Sequence, residues 1–163
     1  KYPLDEIILH PRTGIQMYEG TSDHDAFEKA FLSSAHPLTY NGDITDLNTF
    51  YIVKKKFPCI KRFMIGRGIL SNPFLAEDIK GILVKKNQIE RLKIFHDSLF
   101  DSYQTIFSGP AHLTGRMKGF WRYLGPSFKD SKKQLKMIFK ASSIKKYQDM
   151  VETFFKTEFE FIK

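Results

Sequence analysis

Two short glycine-bearing stretches hold the chemistry this sequence could do: Asn41-Gly42-Asp43-Ile44 and Gly66-Arg67-Gly68. Glycine lets a backbone reach positive φ and lets a ligand approach main-chain N–H groups closely. An asparagine amide and an arginine guanidinium beside such groups are donors suited to a phosphate. Each stretch follows a short apolar run (37–40 and 60–65) and precedes a helical pattern. Helix N-termini add free N–H groups and the positive end of a dipole. Taken singly, an Asn-Gly pair is an ordinary turn and Gly-Arg-Gly is no more specific. Two such loops, each between a strand and a helix, point to a phosphate cradle. His10 ends a third apolar run, Ile7-Ile8-Leu9, and stands where a loop begins.

The elements that would position these loops follow from apolar spacing. Residues 5–9, 37–40 and 60–65 read as strands, and the near-continuous apolarity of the first predicts burial on both faces of a parallel sheet. Between them, 23–32 reads as a helix with an Ala26, Phe27, Ala30, Phe31 stripe, and 46–56 as one with Leu47, Phe50, Tyr51 and Val53 inward. Asn72-Pro73 opens a helix running to about Leu83. The order β-α-β-α-β-α with right-handed crossovers predicts an α/β fold with a parallel sheet. Three strands cannot close a barrel, and a whole (β/α)8 TIM barrel takes roughly 250 residues. Residues 1–84 therefore read as the last three βα units of a partial barrel, with sheet edges open to self-association. From residue 85 strand signals stop. Helical patterns cover 87–107 (Ile89, Leu92, Phe95, Leu99 and Tyr103 in register), 113–124 (Met117, Phe120, Trp121 and Leu124), 128–139 (Leu135, Met137, Ile138 and Phe139) and 142–155, with Ser142 or Ser143 as cap. Short connections make 85–163 an all-α four-helix bundle domain.

Charge separates the two halves. Residues 1–82 hold ten basic and ten acidic side chains, residues 83–163 sixteen and eight, so the whole +8 lies in the helical half. Arg116, Lys118 and Arg122, then Lys129, Lys132, Lys133, Lys136 and Lys140, recur at helical spacing. Such a stripe suits a nucleic-acid backbone, or else is a solvated helix face. The single cysteine, Cys59, excludes an internal disulfide and reads as a buried or half-buried structural thiol. His96 and His112 lack metal-ligand spacing, so no metal is expected. No apolar run approaches the roughly 20 residues that span a bilayer, and no leader pattern is present; a cytoplasmic protein is expected. The chain begins at Lys1 rather than Met, as a piece of a longer protein would.

The ordered run Leu9-His10-Pro11-Arg12-Thr13, Tyr18-x-Gly20, Asn41-Gly42-Asp43-Ile44 and Met64-Ile65-Gly66-Arg67-Gly68-Ile69-Leu70-Ser71-Asn72-Pro73-Phe74 resembles the tRNA-dihydrouridine synthases. Their pattern reads roughly HGRT, Y.G, NGDI and MIGRGALGNPW. The match is specific over 5–80 and looser over 83–155. The resemblance implies an FMN enzyme, recharged by NADPH, that reduces the C5=C6 bond of uridine in tRNA. It implies that His10, Asn41, Gly42, Asp43, Gly66 and Arg67 hold FMN, with Gly66 and Arg67 on the phosphate and His10 on the flavin or the uracil. Asp43, unsuited to a phosphate, would instead cap the following helix, hold its loop or meet a ribityl hydroxyl. Arg12 would meet RNA phosphate or form an ion pair at the rim, and Tyr18 would face RNA or anchor its loop. The basic helices would bind tRNA. Pro11 stands where the family has glycine, which stiffens that turn. The family's proton-donating cysteine and a flavin-contacting lysine precede the first motif, and neither has a counterpart here. No catalytic residue is therefore expected in this chain, and alone it is expected to be inactive. Two alternatives remain: another FMN-dependent barrel oxidoreductase, or a non-catalytic RNA-binding module.

Overall fold

The computed structural model describes residues 3–17, 19–82, 87–157 and 159–162. The chain divides into two compact units, one comprising 1–69 and 74–80, the other 70–73 and 81–163. The boundary expected at 84–85 lies outside the described residues.

The first unit is built on a three-stranded parallel sheet in the order β1-β2-β3: Ile7–Leu9, Leu38–Asn41 and Phe63–Met64. Register pairs Ile7 with Leu38, Leu9 with Tyr40 and Tyr40 with Phe63, so these side chains share a face. Two helices, α1 (His24–Ser33) and α2 (Leu47–Lys56), supply Phe27, Phe50 and Val53 to the core beneath that face. Phe27, Tyr40 and Phe57 lie with ring centroids 4.8–5.9 Å apart, the spacing of tilted and edge-on aromatic pairs. Both helices begin where an aspartate closes their free N–H groups. Asp23 accepts from the N–H of Asp25 and Ala26, and Asp46 from Thr49 in a reciprocal capping box.

Several sequence expectations change here. β1 is not buried on both faces: Ile8 is 49% exposed, and Met64 stands open on the same face. β3 is two residues rather than six, because only 63–64 join the ladder of β2. Tyr51 points outward and Ala26 is exposed; Phe50 and Val53 already fill the space under the sheet. A five-residue helix, α3 (Arg67–Ser71), precedes the helix expected over 72–83, of which only the five-residue α4 (Leu75–Ile79) forms. Pro73, which has no N–H, falls between them, and Gly81 at φ +69° ends the second. Cys59 is exposed, not buried. Phe57 and Ile60 turn inward on either side of it, and the ammonium of Lys54 ties the turn by donating to the carbonyls of Pro58 and Ile60.

The second unit contains α5 (Gln88–Ile106), α6 (Pro110–Leu124), α7 (Lys132–Lys140) and α8 (Ile144–Lys156) around one core. Leu92, Met117, Trp121, Leu124, Ile138, Tyr147 and Phe154 are fully buried there. Ser143 caps α8 as expected, its Oγ accepting from Lys146 N–H. Pro110 opens α6 rather than only ending α5. On α5 the buried stripe is Leu92, His96 and Phe100, and Phe95 is turned out. The helix is rotated by a hydrogen-bond chain. Trp121 Nε1 donates to Tyr147 Oη (2.9 Å), Tyr147 lies 2.7 Å from His96 Nε2, and His96 Nδ1 lies 2.9 Å from Asp97. Donor and acceptor types fix one consistent pattern: Nδ1–H donates to the carboxylate and Nε2 accepts the phenol proton. The helix expected at 128 begins only at Lys132. Asp130 has φ +56°, and Phe128 forms an antiparallel bridge with Phe161. Met137 and Phe139 are accordingly exposed on α7 among its lysines.

Candidate functional site

The C-terminal ends of all three strands feed one cleft of about 190 Å³. His10 enters it after β1, Asn41-Gly42-Asp43 after β2, and Gly66-Arg67-Gly68 after β3, with Ile44, Met64 and Ile65 as apolar lining. All six residues singled out for cofactor binding therefore meet. His10 Nε2 is buried with no hydrogen-bond partner among the described residues. A buried imidazole nitrogen on a cleft wall, lacking a partner in the protein, is a group that a ligand can satisfy.

The two loops approach closely because of glycine. A Cβ on Gly68 would stand 2.3 Å from the Ile44 carbonyl oxygen, inside any real contact, so the second loop can press on the first only without a side chain there. A Cβ on Gly66 would meet nothing within 4 Å, which leaves its backbone open.

A polar network holds the loops in place. Asp43 adopts φ +44°, which an aspartate tolerates better than most residues. One carboxylate oxygen, Oδ2, accepts from the N–H and Oγ of Ser22, both at 2.8 Å, and from the Arg12 guanidinium. The other, Oδ1, faces Arg67 at 3.4 Å. Burial alone would raise the Asp43 carboxyl, but the Ser22 hydrogen bonds and the Arg12 charge outweigh it and hold it below the usual carboxylate range. Arg12 is turned inward with its side chain 3% exposed, and it also donates to the carbonyls of Met17, Glu19 and Gly20. It is the loop ion pair, not a group presented to RNA. Asp43 does not cap α2, since Asp46 fills that role and closes the helix N-terminus that the sequence offers to a phosphate.

A model of the dihydrouridine synthase (Dus) family matches residues 4–158 of this chain. The chain belongs to the dihydrouridine synthase family. It is also similar to a tRNA-dihydrouridine synthase B from Pasteurella multocida (strain Pm70), with 29% identity over 82 residues, covering 50% of this chain and 24% of that protein. The matched stretch thus spans about a quarter of that relative's length.

In this dihydrouridine synthase family member, sequence reasoning found the cleft but not what supports it. Ser22 has no motif of its own and lies 21 residues from the carboxylate it holds. Gly68 was visible as the second glycine of Gly-Arg-Gly, yet nothing in the sequence showed that it faces Ile44 rather than a ligand. Tyr18 lies outside the described residues. Among the basic residues of the helical unit, Lys132, Lys133, Lys136 and Lys140 stand exposed on α7, and Arg116 and Arg122 on α6. Lys118 is different: half-buried, it donates to the carbonyl of Ala141 at 2.6 Å and so closes the C-terminus of α7. Lys129 lies 3.2 Å from Glu160. Arg116 lies over the Phe107 ring, 5.4 Å from its centroid. Among the described residues no cluster of His, Cys, Asp or Glu could hold a metal ion, and no helix is long and apolar enough to cross a membrane.

Proposed function

We propose that these residues form the C-terminal part of a flavin-dependent tRNA-dihydrouridine synthase, in which the α/β unit holds the phosphate end of FMN and the helical unit holds tRNA. The observation that carries this reading is the convergence of His10, Asn41, Gly42, Gly66 and Arg67 on one cleft. The donor set fits a phosphate monoester. Arg67 offers a charged donor, Asn41 an amide, and Gly66 a backbone with no side chain in the way. The partnerless Nε2 of His10 fits a flavin or uracil group carrying a complementary hydrogen-bonding atom. When bound, FMN recharged by NADPH would supply the hydride, and a protein acid the proton, that together saturate the C5=C6 bond of a uridine. This chain's residues bind and orient: Arg67 neutralises the phosphate, and Asp43 keeps the Asn41-Gly42 loop in register through Ser22 and Arg12. The sheet supplies one side of such a site, so binding rather than turnover is the property expected of these 163 residues.

RNA rather than a small molecule as substrate is supported by four lysines exposed on one nine-residue helix, α7. A tRNA substrate implies work in the cytoplasm. Titration of FMN, followed by flavin fluorescence, tests the cleft: binding that weakens at least tenfold in Arg67→Ala supports it, the range of one charge-assisted bond. Equal binding by both proteins refutes it. Titration of tRNA over a salt series tests the helices. Replacing Lys132, Lys133 and Lys136 with glutamine is expected to flatten the slope of log affinity against log salt by about one for each RNA phosphate that is no longer neutralised.

A further inference from the structure

α5 and α6 flank a groove of about 310 Å³ in the helical unit. Phe95, Tyr103, Phe120 and Tyr123 line it with two leucines, and Arg116 and Gly119 complete the wall. Helical spacing gathers these side chains: Phe95, Leu99 and Tyr103 recur at four on α5, and Arg116, Gly119, Phe120 and Tyr123 stand within two turns on one face of α6. Phe120 is buried and meets Phe95 edge-on, with ring centroids 5.8 Å apart. Phe95 itself is 44% exposed and Tyr123 40%. The rings continue to a cation. Tyr103 meets Phe107 edge-on at 5.4 Å, and the Arg116 guanidinium lies over Phe107.

Two observations bear on what this groove takes. The first is charge. Among the described residues its lining includes an arginine and no carboxylate. The groove between α5 and α8 is the reverse, with Asp97, Asp101, Asp149 and Glu152 against one lysine. A polyanion is repelled from the second and admitted to the first. The other observation is Gly119. Glycine weakens the interior of a helix. A Cβ there would meet nothing within 4 Å, so packing among the described residues does not require glycine. What its missing side chain leaves is open space between aromatic rings and a guanidinium.

We propose that this groove receives an unstacked nucleobase of a bound RNA. The proposal rests on the reading of the helical unit as the RNA-binding part. Bases splayed out of an RNA stack on aromatic rings and on arginine planes, and any base can do so because each has a π-face. An apolar protein segment would find the same rings, but it would also have to cover the Arg116 guanidinium, which a neighbouring RNA phosphate satisfies instead. The exposed lysines of α7 then hold backbone phosphates, and the α5–α6 groove holds a base. The two surfaces differ in what they recognise: the lysines bind any RNA, whereas the groove binds only RNA with a base free to leave its partner.

The test measures binding of a short oligouridylate, and of the duplex it forms with oligoadenylate, to the protein and to Gly119→Leu and Phe95→Ala. Gly119→Leu fills the groove without removing a ring and replaces a helix-weakening residue; Phe95→Ala truncates a half-exposed side chain. Circular dichroism checks that both fold. Each variant is expected to bind the single strand roughly five- to 150-fold more weakly, the range for one base stacked on an aromatic ring. Duplex affinity and the salt dependence of both complexes stay as they were, since no phosphate contact is lost. Replacing Lys132, Lys133 and Lys136 with glutamine gives the opposite pattern, weakening both RNAs and flattening the salt slope. The proposal is overturned if both groove variants bind the single strand as tightly as the unaltered protein, or if they weaken single strand and duplex equally. It is also overturned if the unaltered protein sediments as a dimer that Gly119→Leu dissociates, because a second copy would then fill the groove. Failure of the unaltered protein to bind either RNA would instead remove the RNA-binding reading, and this proposal with it.

Discussion

Replacing Gly68 with alanine tests whether the two loops that line the cleft are held together by close packing. The added methyl would stand 2.3 Å from the Ile44 carbonyl oxygen, 3.1 Å from Thr45 Cα and 3.2 Å from Ile65 Cγ2. Two of these atoms are backbone. Their loop is fixed at one end by β2 and at the other by the Asp46 cap of α2, so neither yields as the tip of a flexible side chain would. Restoring an ordinary separation requires the loops to part by about 1 Å. Overpacking of this kind costs about 1–3 kcal/mol. Alanine gains at most about 1 kcal/mol over glycine in a helix, and less at the second position of the five-residue α3. The clash outweighs the propensity gain, leaving a net loss of about 1–2 kcal/mol in the α/β unit. Gly66→Ala is the control: its methyl meets nothing within 4 Å and enters the cleft, so stability should hold while flavin affinity falls. Urea unfolding followed by circular dichroism, paired with FMN titration, separates the two. A Gly68→Ala protein as stable as the unaltered one, with unchanged flavin binding, would refute the idea that the loops are pressed together there.

Three further outcomes follow from the structure. Tyr147→Phe removes the hydroxyl between Trp121 Nε1 and His96 Nε2, leaving a buried donor and a buried acceptor unmatched. A loss of roughly 2–4 kcal/mol is expected in denaturant unfolding, read by emission of the single tryptophan. Burial lowers the pKa of His96, against the opposing pull of Asp97 and with Lys93 adding to the lowering. The unfolded chain therefore takes up a proton near the ordinary histidine value while the folded one resists. Stability should fall as pH drops below about 6.5, by up to about 1.4 kcal/mol per pH unit, and His96→Gln should flatten that slope. Cys59, exposed beside Pro58, should react fully with a thiol reagent in the native protein, and Cys59→Ser should change stability by less than about 0.5 kcal/mol.

What the sequence made legible was local. Strand, loop and helix around residues 41 and 66 were readable because glycine, a run of apolar residues and a helical period each leave a mark within about ten residues. His10 at a strand end was readable for the same reason. The length of β3 was not, since a strand is defined by partners and only two residues of 60–65 join the ladder of β2. Burial of Ile8 was not, since apolarity says that a side chain can be buried, not that anything covers it. On α5 the apolar period pointed to Phe95, whereas the buried residue is His96. A count of apolar spacing cannot see an imidazole buried by a tyrosine 51 positions away.

The two aspartates of the 43–46 loop show the same limit acting on function. Both precede α2 and both are good helix caps, so either could close its N-terminus. Asp46 has Thr49 at the third helical position, and that reciprocal pairing was there to be read. What draws Asp43 away lies elsewhere: Arg12 and Ser22 bind its carboxylate across 31 and 21 residues. Once Asp46 has closed the helix, the positive end of the α2 dipole is already occupied by a carboxylate. Among the residues that line the cleft the cationic side chain is that of Arg67. Affinity for an anion there should therefore follow substitution of Arg67 more than substitution of the Asp46 cap.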